Sequence, residues 1–342
     1  MSEWTPAVLS TAEAGRHRCD LCPHRCRLGP GQVGYCQVRR GAEAGLETLT
    51  FASSVEHLDA VERKPLYHWH PGRRVLTLAA PGCSFRCDYC INFRISQYGR
   101  PGGQDWDATP VDPAAAARKV ADTGAAGIAL SYTEPSLAIE LTLALAATGT
   151  PVVWKSNGYL TPEALALAAP AVAALNIDLK AVHDDDHRRL TGGEVAPVLA
   201  AIAGFRAAGA WVEVSTPLIP GFNDHPDQVA AIAAAVAAID PAMPWHLLRF
   251  SPAYRMTDRD PTSPTALEDA AAIGRAAGLH YVYVERALGP AGRETRCPGC
   301  AAVVVRRDIW SAEPPLLHAG RCPECRTRIA GVWGNDDRAS VR

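Results

Sequence analysis

From Arg73 onward, short runs of apolar, β-prone residues alternate with longer Ala-rich stretches. The runs are Val75–Ala80, Gly127–Tyr132, Val152–Ser156, Leu175–Lys180, Trp211–Leu218 and His246–Ser251. Such runs, bounded by turn formers, predict buried strands. The intervening stretches predict helices at Leu137–Ala147, Val195–Ala208, Pro226–Ile239 and Pro264–Ala277. Two further helices open at Asp112-Pro113 and Thr161-Pro162. There a side-chain oxygen caps the first turn, and proline, with no N–H to lose, takes the first helical position. Repeated strand–helix units predict an α/β fold with a parallel sheet. Six units are too few to close a barrel of the eight-stranded TIM type. The expectation is therefore a partial (β/α)6 TIM-like barrel, with a further strand at His280–Glu285 finishing the sheet.

The flanks look different. Residues 16–40 are dense in Cys, Arg, Gly and Pro and show no period; so little apolar surface predicts a knot that a metal must hold together. Thr48–Val61 reads as a connector with strand character, and after Leu288 the pattern gives way to Gly-rich loops and two Cys pairs. The expected organisation is a Cys-rich metal-binding module (1–47), the partial barrel (48–288), a zinc-ribbon-like module (289–334) and a flexible tail (335–342). A chain of 342 residues, 48% of them hydrophobic, has room for one large domain and two small ones.

Charge narrows the partners. A net charge of −2 and a pI near 6.6 give no footprint for nucleic acid or an anionic membrane, and neither is expected. The N-terminal residues lack the pattern of a secretory signal, and no apolar run approaches the length of a membrane span. Cysteines in C-x2-C pairs without such a signal read as reduced metal ligands, which points to the cytoplasm.

The eleven cysteines divide into four, three and four. The middle group, Cys83, Cys87 and Cys90, has C-x3-C-x2-C spacing and follows the first predicted strand. An Fe–S cluster normally takes four Cys. Three leave one iron open to a small molecule, and an open metal position can do chemistry where a closed one only holds structure. A structural zinc or free thiols would be the bland reading of the spacing alone. The position of the triplet, in a loop at a strand's C-terminal end where β/α folds carry their chemistry, argues against it. Polar residues gather at the other strand ends, among them Glu134, Ser156, Asn157, Asp178 and Lys180. Helix capping is the alternative for Glu134, and a plain salt bridge for Asp178 with Lys180.

The other two groups have four thiols each. Cys297-Pro-Gly-Cys300 and Cys322-Pro-Glu-Cys325 resemble the two knuckles of a zinc ribbon, with a rubredoxin-like iron as the alternative. Cys19, Cys22, Cys26 and Cys36 suit zinc or an auxiliary 4Fe–4S cluster, and spacing does not choose between them. His24, inside this knot, reads as a bystander, and His68 and His70 as packing or backbone-bonded residues.

The triplet, with Tyr89 just before its third Cys, resembles the signature of the radical S-adenosylmethionine (radical SAM) superfamily. The order of cysteine groups, with Arg63-Lys-Pro-Leu-Tyr-His68, Ile219-Pro-Gly-Phe-Asn-Asp224 and Trp245-His-Leu-Leu-Arg-Phe-Ser-Pro252, resembles one subgroup. That subgroup is the radical enzyme of the AmmeMemoRadiSam system, related to pyruvate formate-lyase activating enzymes. The resemblance implies a 4Fe–4S cluster on Cys83, Cys87 and Cys90, with S-adenosylmethionine chelating the fourth iron. It implies reductive cleavage to a 5′-deoxyadenosyl radical that abstracts hydrogen from a substrate the sequence does not name. Glu134 would meet the methionine amino group. Ser156, Asn157, Asp178, Lys180 and Tyr89 would complete the cofactor contacts. Implied partners are an electron donor such as flavodoxin or ferredoxin, a Memo-like protein and an AMMECR-type protein. A glycyl-radical enzyme activase is the alternative within the class, and a non-catalytic Fe–S and zinc scaffold the alternative outside it.

Overall fold

The structure is a computed structural model and describes residues 3–100, 108–286 and 288–334. Its centre is an eight-stranded sheet in which the order across the sheet follows the chain. The strands are β1 (Glu56–Ala60), β2 (Arg74–Leu78), β3 (Ile128–Leu130), β4 (Val152–Ser156), β5 (Val172–Asp178), β6 (Trp211–Leu218), β7 (Trp245–Arg249) and β8 (Val282–Val284). All neighbours from β2 to β8 pair in parallel, and β1 runs antiparallel to β2 at one edge. The helices between the parallel strands shield apolar faces, so a central strand such as β6 is buried at all eight positions.

Local chemistry starts the helices where the sequence predicts. The Asp112 carboxylate accepts from the Ala114 N–H at 2.9 Å, and the Thr161 hydroxyl from the Ala164 N–H at 3.1 Å. Two α-helices are not anticipated, the short Phe93–Ser96 and the longer Asp184–Thr191. Asp184–Thr191 has five charged residues in eight, is held by an Asp184–Arg188 pair one turn apart, and ends on Gly192 with φ 81°.

Two small antiparallel sheets precede the core. One contains Thr5–Ala7, Leu46–Thr48 and Arg39–Gly41, the other Ser10–Glu13, Arg16–Cys19 and Arg27–Leu28. Cys19, Cys22 and Cys36 share one apolar cluster with Leu76, Leu78 and Trp154 of the central sheet. At the far end, a hairpin of Thr295–Arg296 and Val303–Val305 packs with Tyr67, Tyr281 and Tyr283 in a separate cluster. The expected tail, 335–342, lies outside the described residues. Among those described, no helix is long and apolar enough to cross a membrane.

Candidate functional site

The C-terminal ends of the parallel strands surround a cavity of about 440 Å³, and the loop after β2 brings Cys83, Cys87 and Cys90 to its wall. That loop is held from outside. Gly82 has φ 87°, and a Cβ there would come within 2.9 Å of the Cys36 carbonyl and 2.8 Å of Val38. Only glycine fits so close an approach. The Phe85 N–H points to Cys83 Sγ at 3.3 Å, and Asn157 Nδ2 lies 3.6 Å from the same sulfur.

The triplet fits an iron–sulfur cluster. Burial pushes the Cys83 thiol up and raises Cys87 to about 12, so these thiols give up their protons readily only to a metal. Their three sulfurs do not all lie within 4.8 Å of one another. Ligands of one zinc ion would sit about 3.8 Å apart, given Zn–S distances of about 2.3 Å. A larger group suits the spacing.

Each of the polar residues singled out in the sequence also lines this cavity. Glu134 is buried, with Oε1 accepting from Ser136 N at 3.0 Å and Ser156 Oγ at 2.7 Å. Its Oε2 accepts from Asn157 N at 2.7 Å. The carboxylate thus caps the short helix Pro135–Ala138 and ties two strand ends together while facing the cavity. Burial raises its pKa, and these hydrogen bonds pull against the rise. Asp178 and Lys180 form a salt bridge at 2.7 Å beside the cavity. Burial alone would raise the Asp178 carboxyl, but the ammonium groups of Lys155 and Lys180 outweigh it and hold the pKa at about 2. The Tyr89 ring stands 5.7 Å from Lys180 Nζ.

Sequence reasoning missed several lining residues. Lys155 contacts Asp178 and donates to Asn176 Oδ1 at 2.6 Å. It belongs to the polar strand end that supplied Ser156 and Asn157, so its position was the available signal. Glu285, at the end of the last predicted strand, places a buried Oε1 4.0 Å from His246 Nδ1 with no hydrogen-bond partner among the described residues. Burial raises its pKa. Trp310 reaches the cavity rim from the C-terminal module, with the guanidinium groups of Arg63 and Arg286 over its ring at 4.6 and 5.2 Å. Nothing in its local sequence marks that role.

The C-terminal quartet converges. All four sulfurs of Cys297, Cys300, Cys322 and Cys325 lie within 4.8 Å of one another, with Cys297 and Cys325 at 3.4 Å and Cys300 and Cys322 at 3.7 Å. The two knuckles repeat one geometry: Ala301 N donates to Cys297 O, Arg326 N to Cys322 O, and both Ala301 and Arg326 have positive φ. Four thiols so arranged form a closed site that can bind one metal ion. The N-terminal quartet lines a separate small cavity together with Arg39 and Leu137. His24 is not part of that wall; its Nε2 lies 2.8 Å from the Ser84 carbonyl. His68 is fully buried, with Nδ1 2.6 Å from the Ala330 carbonyl and Nε2 2.6 Å from the Tyr283 hydroxyl.

A parallel α/β sheet with a thiol triplet after its first parallel strand defines the class. Residues 77–232 match the radical SAM superfamily, and the chain belongs to that superfamily and is related to its activating enzymes. An uncharacterized protein of Methanocaldococcus jannaschii is 32% identical over 320 residues, covering 91% of this chain and 94% of that one. The isethionate sulfite-lyase activating enzyme of Nitratidesulfovibrio vulgaris is 31% identical over 123 residues, 34% of this chain and 40% of that enzyme. A solved radical SAM methyltransferase from Sphaerobacter thermophilus is 18% identical with a TM-score of 0.49, covering 64% of this chain and 68% of that one.

Proposed function

We propose that the chain is a cytoplasmic radical SAM enzyme. Its sheet acts as a partial barrel whose mouth holds a 4Fe–4S cluster on Cys83, Cys87 and Cys90 and S-adenosylmethionine beside it. The chemistry supplied there is one-electron reductive cleavage of S-adenosylmethionine to a 5′-deoxyadenosyl radical, which removes hydrogen from a substrate. One observation carries the reading: three thiols open onto the same cavity as Glu134, Ser156, Asn157, Asp178 and Lys180. Four closed ligands would leave no such opening.

The chain's own residues have distinct tasks. Glu134 retains lone pairs beyond its three hydrogen bonds and can receive an ammonium group, a strong charge-assisted contact in a sheltered site. Lys180, held by Asp178, can meet a carboxylate. Ser156 and Asn157, fixed by Glu134, present polar edges toward a ribose. The surrounding wall excludes water from a reactive intermediate. The reductant is a low-potential donor of the flavodoxin or ferredoxin kind, and Memo-like and AMMECR-type proteins are the proposed partners. The C-terminal quartet holds zinc.

Anaerobic reconstitution with iron and sulfide, followed by dithionite and S-adenosylmethionine, should yield 5′-deoxyadenosine, and Cys87→Ala should abolish it. A fully loaded protein that binds S-adenosylmethionine yet forms none overturns the reading. If Cys87→Ala keeps every cellular phenotype, the scaffold role is favoured instead. The partial likeness to an activating enzyme supports one narrower reading, hydrogen abstraction from a glycyl residue of a partner protein. Electron paramagnetic resonance (EPR) of turnover mixtures with candidate partners should then show a persistent protein radical, and its absence would count against this version.

A further inference from the structure

We propose that Cys19, Cys22, Cys26 and Cys36 bind a second iron–sulfur cluster rather than zinc. The C-terminal quartet supplies the yardstick. Its sulfurs gather within 4.8 Å of one another, with pairs at 3.4 and 3.7 Å, close to the roughly 3.8 Å edge of a tetrahedral zinc–thiolate site. In the N-terminal quartet no three sulfurs meet that 4.8 Å limit. All four instead line a small cavity of about 10 Å³. The thiols are therefore set around something wider than one ion, as when four ligands are shared among the irons of a cluster.

Closing the quartet onto zinc would require buried, packed side chains to shift. Cys19 lies on a strand, its N–H bonded to the Cys26 carbonyl at 2.8 Å, and Cys19, Cys22 and Cys36 are packed into the core of the central sheet. Such interiors resist compression. The site is also prepared for negative charge. Arg39, 1% exposed, lines the cavity with Nη1 3.8 Å from Cys19 Sγ and 2.9 Å from the Val8 carbonyl. Its Nη2 pairs with Glu140, and its Nε has no hydrogen-bond partner among the described residues. A buried cation suits either metal; the sulfur spacing chooses.

The position adds a role. Cys36 touches Gly82, next to Cys83, and Arg100 bridges the two loops by donating to the Tyr35 carbonyl at 2.5 Å and the Cys83 carbonyl at 3.3 Å. A cluster there is a one-electron centre against the triplet loop. It gains its electron from a low-potential protein donor, which is oxidised by one electron. Zinc has no such chemistry.

The test uses the full-length triple variant Cys83→Ala, Cys87→Ala, Cys90→Ala, reconstituted anaerobically with iron and sulfide. It should retain about four irons and about four sulfides per chain and, after dithionite, give an EPR signal of a reduced cluster. Trace iron with a second zinc per chain overturns the proposal, as does an empty quartet. If the triple variant does not fold, Cys22→Ser with Cys36→Ser is read against wild type. Iron should fall by about half with zinc unchanged, and a loss of zinc with iron unchanged is the contrary result. Neither readout depends on S-adenosylmethionine cleavage, so the proposed function can fail without this one failing.

Discussion

The two cysteine-rich ends of the chain carry four thiols each but are joined to the central sheet in opposite ways. At the N-terminus three of the thiols lie within the sheet's own core, and the joint is polar and largely buried: Arg39 with Glu140, Thr161 with the Asp20 carbonyl, His24 with Ser84. At the C-terminus Cys297 and Cys322 belong to a separate cluster, while Cys300 and Cys325 are exposed. The ribbon is held by Arg307, buried and donating to the Tyr67 carbonyl, and by the backbone bridge between Trp69 and Val332. A module within the main core should share its fate. One resting on it can be lost alone.

The largest expected effect tests that separation. Cys322→Ser removes a fully buried thiol, one of four that could ligate a metal, from a module with little core of its own. Structural metal sites of this kind are folded by their metal, so the segment 289–334 should become protease-sensitive. Calorimetry should still show the main transition of the sheet near its wild-type temperature. A single, much lower transition for the whole chain would erase the contrast between the two ends.

Next in size is Arg39→Met at the N-terminal joint. Removing the cation leaves Glu140 buried without its ion-pair partner, and breaking one side of a buried pair costs about 3 to 5 kcal/mol. The loss should appear in the main transition, because Arg39 is tied to the helix after β3 (Ile139–Ala146). Arg39→Met with Glu140→Leu should recover most of it, since an apolar pair leaves no orphaned charge. Chemical denaturation of the three proteins gives the comparison, and a wild-type midpoint for Arg39→Met alone would detach this end from the core.

The two joints also differ in how well a histidine is sealed into them. Burial lowers both His24 and His68, but His68 is fully enclosed and falls to about 4. In the folded protein its neutral ring donates Nδ1–H to the Ala330 carbonyl and accepts from Tyr283. Between pH 6.5 and 4 the unfolded chain binds a proton there that the folded chain does not. Stability must therefore decline as pH falls through this window, by about 3 kcal/mol across it. The ribbon should loosen first, seen as rising hydrogen exchange in 289–334. His68→Phe should flatten that pH dependence, and a variant as pH-sensitive as wild type would assign the effect elsewhere.

Much of the sheet was legible in the sequence because a buried parallel strand writes its burial into consecutive residues. Val152–Ser156 and Trp211–Leu218 are recovered to the residue, as is the helix Pro226–Ile239. The predicted strand Leu175–Lys180 in fact begins at Val172 and ends at Asp178, because Val-Ala-Ala gives a weak apolar signal and Lys180 already belongs to the loop. The edge strand β1, Glu-His-Leu-Asp-Ala, is half exposed and carries no period strong enough to reveal its antiparallel direction. Strand ends advertised Glu134, Asn157 and Asp178 as polar residues where apolar runs stop. Contacts across the chain leave no such trace. Arg307 meets Tyr67 over 240 positions, and Glu285 faces His246 only after two strands pair.

The smallest effect falls on the residue that joins the ribbon to the cavity. Trp310 is 45% exposed and is held at the rim by two cation–π contacts rather than by packing. Exposed contacts of this kind contribute about 0.5 to 1 kcal/mol each, so Trp310→Ala should move the melting temperature little. If the proposed function holds, its consequence should be functional: a wider rim that holds substrate less well while S-adenosylmethionine binding is kept. The comparison, made for variant and wild type, is the yield of 5′-deoxyadenosine without substrate and, with substrate present, the fraction of the yield coupled to product. Uncoupled cleavage should rise in the variant. Unchanged coupling would mean that the ribbon only braces the fold, and that the two ends differ in attachment alone.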